Sequence, residues 1–118
     1  MYKQPIEYLR HILEECRFLL TATSGMTKEQ FFKDEVMKRA TVRSLEIIGE
    51  ACKKIPADVQ QNWPAVNWKN MAGMRDRLIH DYAGINYTIV WDVVHNKIPD
   101  LEKQIGAVID EQESTTVS

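Results

Sequence analysis

The sequence predicts an all-α fold, an up-and-down bundle of four to five helices. Three observations carry that expectation. The chain has only five glycines and four prolines in 118 residues, too few for a turn-rich sheet protein. Apolar residues recur every three or four positions through most of its length, the spacing of a buried helical stripe. Capping and breaking residues bracket each of those stretches.

The length fits one domain, expected over residues 1–112, with an aperiodic and mobile tail at 113–118. With 44% hydrophobic and 27% charged residues, the composition is that of a globular protein rather than a disordered one. The net charge of −2 argues against wrapping nucleic acid with the whole surface but leaves room for a local basic cleft. Cys16 and Cys52 sit far apart on apolar helical faces and read as a reduced, buried pair rather than a disulfide or a metal site. Glu7, Arg10, His11, Glu14, Glu15 and Arg17 interrupt any apolar leader, and no apolar run approaches the ~20 residues of a membrane span. A soluble, cytoplasmic protein without membrane partners is expected.

The first helix is placed from Pro5, suited to a first turn, to Thr23, with Gly25 ending it. Ile6, Leu9, Ile12, Leu13, Cys16, Leu19 and Leu20 form its stripe. Thr27 and Gln30 have the Thr-x-x-Gln form of a capping box. A second helix is therefore expected to start there, first as a short turn through Phe31 and Phe32. It continues through Val36, Met37, Ala40, Leu45, Ile47, Ile48, Ala51, Cys52 and Ile55 to Pro56, and pairs with the first as an antiparallel hairpin. Lys38, Arg39 and Arg43 are expected on a solvated face, with a polyanion cleft as the alternative.

Residues 56–64 read as a helical turn and loop. Trp63 and Trp68 read as lids on the core, the alternative being base stacking. Asn67 caps a third helix from Trp68 to about Ala83, stopped by Gly84. Asn86 caps a fourth through Ile89, Val90, Val93, Val94 and Ile98. Pro99 is expected to kink or restart it before Leu101, Ile105, Val108 and Ile109.

The third helix carries the densest chemistry, Arg75-Asp76-Arg77-Leu78-Ile79-His80-Asp81-Tyr82. Asp76 and His80 stand at i, i+4, where the carboxylate can orient the imidazole; Arg77 and Asp81 have the spacing of a surface ion pair. Arg75 and His80 point about 140° apart on a regular helix, so one copy cannot easily aim both at one atom. Across a twofold axis, the arginine and histidine of two copies can converge. Ala72 and Gly73 would let a partner backbone approach; the alternative is that Gly73 makes room for Trp63 or Trp68 within one subunit.

A histidine with a reference pKa near 6.5 moves protons near neutrality, and an arginine binds phosphate oxygens bidentately. Together they suit cleavage of RNA through its own 2′-hydroxyl, with the arginine stabilising the phosphorane. His11, His80 and His95 show no metal-ligand spacing, and no cofactor is expected. A purely solvated, ion-paired helix is the bland alternative.

The stretch Met71-Ala72-Gly73-Met74-Arg75-Asp76-Arg77-Leu78-Ile79-His80-Asp81-Tyr82, followed by Gly84-Ile85-Asn86-Tyr87-Thr88-Ile89-Val90-Trp91, resembles the HepT-like branch of the HEPN superfamily. Ser44-Leu45-Glu46-Ile47-Ile48-Gly49-Glu50-Ala51 is similar to that family's second helix. The resemblance spans nearly everything from Ile6 to Ile109 and rests on the Arg-x4-His-x-Tyr signature in this setting. It implies a HEPN-like bundle dimerising through the motif helix, and a metal-independent endoribonuclease acting as the toxin of a type VII toxin–antitoxin system. Arg75 and His80 match the catalytic pair, with Asp76 and Arg77 in support. Tyr82 matches the tyrosine that an MNT-type nucleotidyltransferase antitoxin modifies with AMP. Asp76 departs from the asparagine frequent at that position; its charge would weaken attraction for RNA but can fix the histidine tautomer. Two other functions compete: a non-catalytic module that binds a nucleotide or a nucleotidyltransferase, and a structural dimerisation domain.

Overall fold

The computed structural model describes the backbone of residues 4–117, and their side chains except those of Tyr82 and residues 115–117. It is all-α: α1 (Pro5–Ala22), α2 (Lys28–Lys33), α3 (Glu35–Lys54), α4 (Ala57–Asn62), α5 (Trp68–His80), a 3-10 turn (Tyr82–Gly84), α6 (Tyr87–Asn96) and α7 (Ile98–Val117). No strand occurs among the described residues. The bundle has more pieces than the four or five helices expected, because caps cut two of the long stripes.

The predicted capping box at Thr27 is reciprocal: its side chain accepts from the Gln30 N–H at 3.1 Å, and the Gln30 side chain accepts from the Thr27 N–H at 2.8 Å. α2 lasts six residues before Asp34 goes extended and restarts the chain as the N-cap of α3, accepting from the Met37 N–H at 2.9 Å. A similar restart at Lys97 separates α6 from α7, just ahead of Pro99. Gly25, at φ +76°, takes the left-handed conformation that closes the α1 turn.

α1 packs on α3 and α7, α3 packs on α5, and α6 lies on α7. Side-chain links set the directions. Glu15 accepts from Ser44 at 2.8 Å, while Tyr8 and His11 share a cavity with Glu50 and Lys54, so α1 and α3 run antiparallel as expected. Arg17 meets Glu102 at 3.5 Å and Arg10 meets Glu113 at 2.6 Å, so α1 and α7 also run antiparallel. α7 runs to Val117.

The core is built from the predicted stripes: Leu9, Ile12, Cys16 and Leu19 meet Leu45, Ile48 and Cys52, and the far side is closed by Ile98, Leu101, Ile105 and Val108. Val36 departs from expectation, being 79% exposed in the first turn of α3. Phe31 is fully buried against Tyr87 and Trp91, with ring centroids 6.4 and 5.1 Å away. Trp68 is buried and donates its indole N–H to the Trp63 carbonyl at 3.1 Å, and Trp63 packs half-buried on the core, which favours the lid reading of both. Cys16 and Cys52 are free and buried, and burial pushes both thiols up to about 12, with each other's proximity adding to the shift at Cys16. No helix among the described residues is long and apolar enough to cross a membrane.

Candidate functional site

α5 begins at the predicted N-cap, where the Asn67 side chain accepts from the Asn70 N–H at 3.3 Å. It ends earlier than expected. His80 is its last residue, the Asp81 N–H closes onto the Arg77 carbonyl at 2.9 Å, and the Gly84 N–H closes a tighter turn onto Asp81 at 2.8 Å. Tyr82 therefore lies in a 3-10 turn beyond the helix rather than on it, and its side chain is outside the described residues.

The α3–α5 crossing positions the motif. Gly49 is buried at that crossing, where a Cβ would stand 2.2 Å from the Arg75 Cβ and 2.7 Å from the Met71 carbonyl oxygen. The absence of a side chain there is what lets the two helices meet. One residue on, the Glu50 carboxylate pairs with the Arg75 guanidinium at 3.1 Å. Arg75 also donates to the Asp76 carboxylate at 3.1 Å, and Lys53 donates to the same oxygen at 3.1 Å. Those two bonds, the Lys53 one first, hold the Asp76 carboxyl below the usual aspartate range. Asp76 is thus engaged with Arg75 and Lys53, and it forms no hydrogen bond to His80, contrary to the i, i+4 pairing expected. Arg77 and Asp81 likewise form no ion pair, and both are exposed.

The guanidinium of Arg75, 28% exposed, lines a cavity of about 240 Å³ between α1, α3 and α5. Tyr8 and His11 come from α1, Arg43, Glu46, Glu50 and Lys54 from α3. Every arginine and lysine here has a carboxylate within ion-pair distance: Arg43 with Glu46 at 3.4 Å, Lys54 with Glu50 at 4.0 Å, and Arg75 with Glu50 and Asp76. His80 does not line this cavity and is exposed at the end of α5. Arg75 and His80 accordingly open onto different parts of the surface, as the helical angle requires. Lys38, Arg39 and Arg43 do not gather: Lys38 pairs with Glu35 at 2.9 Å and lies 4.7 Å from the Tyr87 ring centre, and Arg39 is exposed.

Gly73 has nothing within 4 Å of where a Cβ would stand. It makes no room for Trp63 or Trp68, so the intrasubunit explanation fails and its face of α5 is open. No group of three or more His, Cys, Asp or Glu among the described residues is placed to hold a metal ion. Gly49, Glu50 and Lys53 are the participants that reading the sequence missed. Glu50 and Gly49 lie within the segment that carries the resemblance on α3, but nothing in the local pattern ties them to an arginine on α5.

The comparisons with known proteins fit this architecture. The family profile described as "Ribonuclease HepT-like" matches residues 12–108. The chain is 49% identical over 110 residues to "Putative RNase TTE0752" of Caldanaerobacter subterraneus subsp. tengcongensis, covering 93% of this chain and 98% of that protein. It is 46% identical over 106 residues to "Putative RNase MJ0127" of Methanocaldococcus jannaschii, covering 90% and 88%. With "Probable ribonuclease HepT" of Thermococcus cleftensis it shares 40% identity over 96 residues, covering 81% and 87%. No solved structure matches the chain at a significant level. By the match of its helical core and of the α3 and α5 segments just described, the chain belongs to the ribonuclease HepT-like family.

Proposed function

We propose that this protein is a metal-independent endoribonuclease that works as a homodimer, the toxin of a type VII toxin–antitoxin pair. The observation that carries the reading is the fixed Arg75 guanidinium, held by Glu50 and Asp76 on one side of α5, with an exposed His80 on the same helix. A twofold partner packed along α5 would bring the Arg75 of one copy to the His80 of the other.

In the proposed reaction an imidazole of His80 takes the proton of the ribose 2′-hydroxyl as that oxygen attacks the adjacent phosphorus. Arg75 holds the charge that grows on the non-bridging oxygens. The 5′-oxygen then leaves and is protonated by an imidazolium, giving a 2′,3′-cyclic phosphate and a free 5′-hydroxyl. Because Asp76 is bound to Arg75 and Lys53, its role in this scheme is to orient the arginine. Silencing follows from AMP transfer to Tyr82 by an MNT-type nucleotidyltransferase, which adds phosphate charge and a purine two residues from His80 and repels RNA.

Purified protein incubated with RNA and a chelator tests the reaction. Wild type is expected to release cyclic-phosphate ends, and Arg75→Ala and His80→Ala are not; equal cutting by all three sinks the assignment. Mass spectrometry of protein co-produced with a neighbouring nucleotidyltransferase tests the control step. A gain of AMP on Tyr82 is expected, and an unmodified tyrosine beside an active transferase counts against it.

A further inference from the structure

A concavity of about 740 Å³ lies across α5 from Arg75, between that helix and the α6–α7 corner. Its volume is within the range of sites that hold sizeable ligands. Lys69 and Arg77 reach it from α5 and Lys97 from the break between α6 and α7, and Met71, Met74 and Leu101 supply apolar surface. Unlike the cations of the Arg75 cavity, these three have no carboxylate within ion-pair distance among the described residues. Asp100 is the one acid lining the groove. A chain of net charge −2 thus keeps an uncompensated cluster of positive charge here, and amide groups of Asn70, Asn96 and Gln104 lie along the same walls.

We propose that this groove binds the ribose–phosphate backbone of the single-stranded RNA that flanks the cut site, an inference that rests on the ribonuclease reading. Arg77 and His80 are i, i+3 neighbours on α5, with Cβ atoms about 5–6 Å apart on a regular helix. A phosphate held by Arg77 is therefore continuous with the chain passing His80. The guanidinium takes phosphate oxygens as a fork, and Lys69 and Lys97 act as point charges on neighbouring phosphates. The apolar surface suits base or ribose faces, and the Asn70 amide suits a base edge, while the Asn96 and Gln104 amides already donate to Asp92 and to the Ala65 carbonyl. Gly73 also lines the groove, and a Cβ there would meet nothing within 4 Å, so this wall is open.

The test is fluorescence anisotropy of a labelled single-stranded oligoribonucleotide against His80→Ala protein, which leaves the probe uncut, over a range of salt. Adding Lys69→Ala or Lys97→Ala is expected to raise Kd several-fold and to flatten the slope of log K against log salt by about 0.7 for each phosphate no longer neutralised. Lys103→Ala, an exposed lysine of α7 that does not line the groove, is the charge-matched control. Lys97→Glu is expected to weaken binding further than Lys97→Ala while leaving the dimer mass in light scattering unchanged. Binding equal to the Lys103→Ala control overturns the proposal, as does a Lys97→Glu protein that loses its dimer while keeping its RNA affinity. The two readings fail separately. If wild type leaves RNA intact but the groove variants still lose affinity, the groove stands and the nuclease assignment falls.

Discussion

The two sides of α5 are built to opposite specifications. On the side facing α3, packing is so close that Gly49 has no room for a methyl group, and Arg75 is clamped between Glu50 and Asp76. On the other side a Cβ at Gly73 would meet nothing within 4 Å, His80 is exposed, and Lys69 and Arg77 line an open groove without an ion-paired acid among the described residues. A side chain needed in one fixed orientation is held by the protomer's own core. Groups that must meet something from outside are left unpartnered. The inner side thus fixes the orientation of Arg75, and the outer side leaves its charged groups open to solvent.

The strongest way to break this contrast is to separate its halves. Arg75→Ala and His80→Ala are each expected to lower cleavage by about 10²–10⁴-fold, the usual worth of a positioned proton-transfer or charge-stabilising group. If the site is shared across the twofold, mixing the two variants and letting subunits exchange should restore activity toward about a quarter of wild type, since half the dimers then carry one intact site of two. No recovery in mixtures shown to contain heterodimers means that a single subunit makes the site.

The two glycines give the next largest effect. Gly49→Ala must push α5 off α3, and a loss of about 1–3 kcal/mol in denaturant unfolding is expected, the usual cost of overpacking. Gly73→Ala should stabilise the separated protomer by about 0.5–1 kcal/mol through helix propensity while weakening self-association in sedimentation. Equal melting behaviour of the two variants would erase the distinction between the sides.

Glu50→Gln sharpens the role of the clamp. The pair is partly exposed, so the loss in stability should stay below about 1 kcal/mol. Freed of its anchor, Arg75 should cost roughly tenfold in kcat with KM little changed, and Glu50→Asp should recover part of it. A change in KM alone would mean that Glu50 only tunes the field felt by RNA.

The smallest effect expected is in acid. Because the Asp76 carboxyl is held below its ordinary value, its bonds to Lys53 and Arg75 favour the fold above the ordinary aspartate pKa of ~3.9, and that contribution fades as pH falls through the lower folded value. Wild type minus Asp76→Asn stability should be constant near neutrality and shrink only below about pH 4. A difference that changes instead between pH 6 and 8 would point to another group.

Local chemistry was enough to place the helices. The stripes of α1, α3 and α7, the caps at Thr27, Asn67 and Asn86, and the breaks near Gly25 and Pro99 all depend on residues within a turn or two of one another, and they are where the sequence puts them. The angle between Arg75 and His80, and hence the expectation of a site shared by two copies, also follows from helical geometry alone. The same local reasoning misassigned Asp76 to His80, because i, i+4 spacing shows which partners are within reach and not which one wins. Tertiary packing decided that. Lys53 is 23 residues away from Asp76 and bonds to it at 3.1 Å; Glu50, also remote along the chain from Arg75, meets it because Gly49 lets the helices touch. The uncompensated groove likewise draws Lys69 and Arg77 from α5 and Lys97 from the break between α6 and α7. Which charges are neutralised and which are left open depends on distances between helices, and periodicity along one helix carries no record of them.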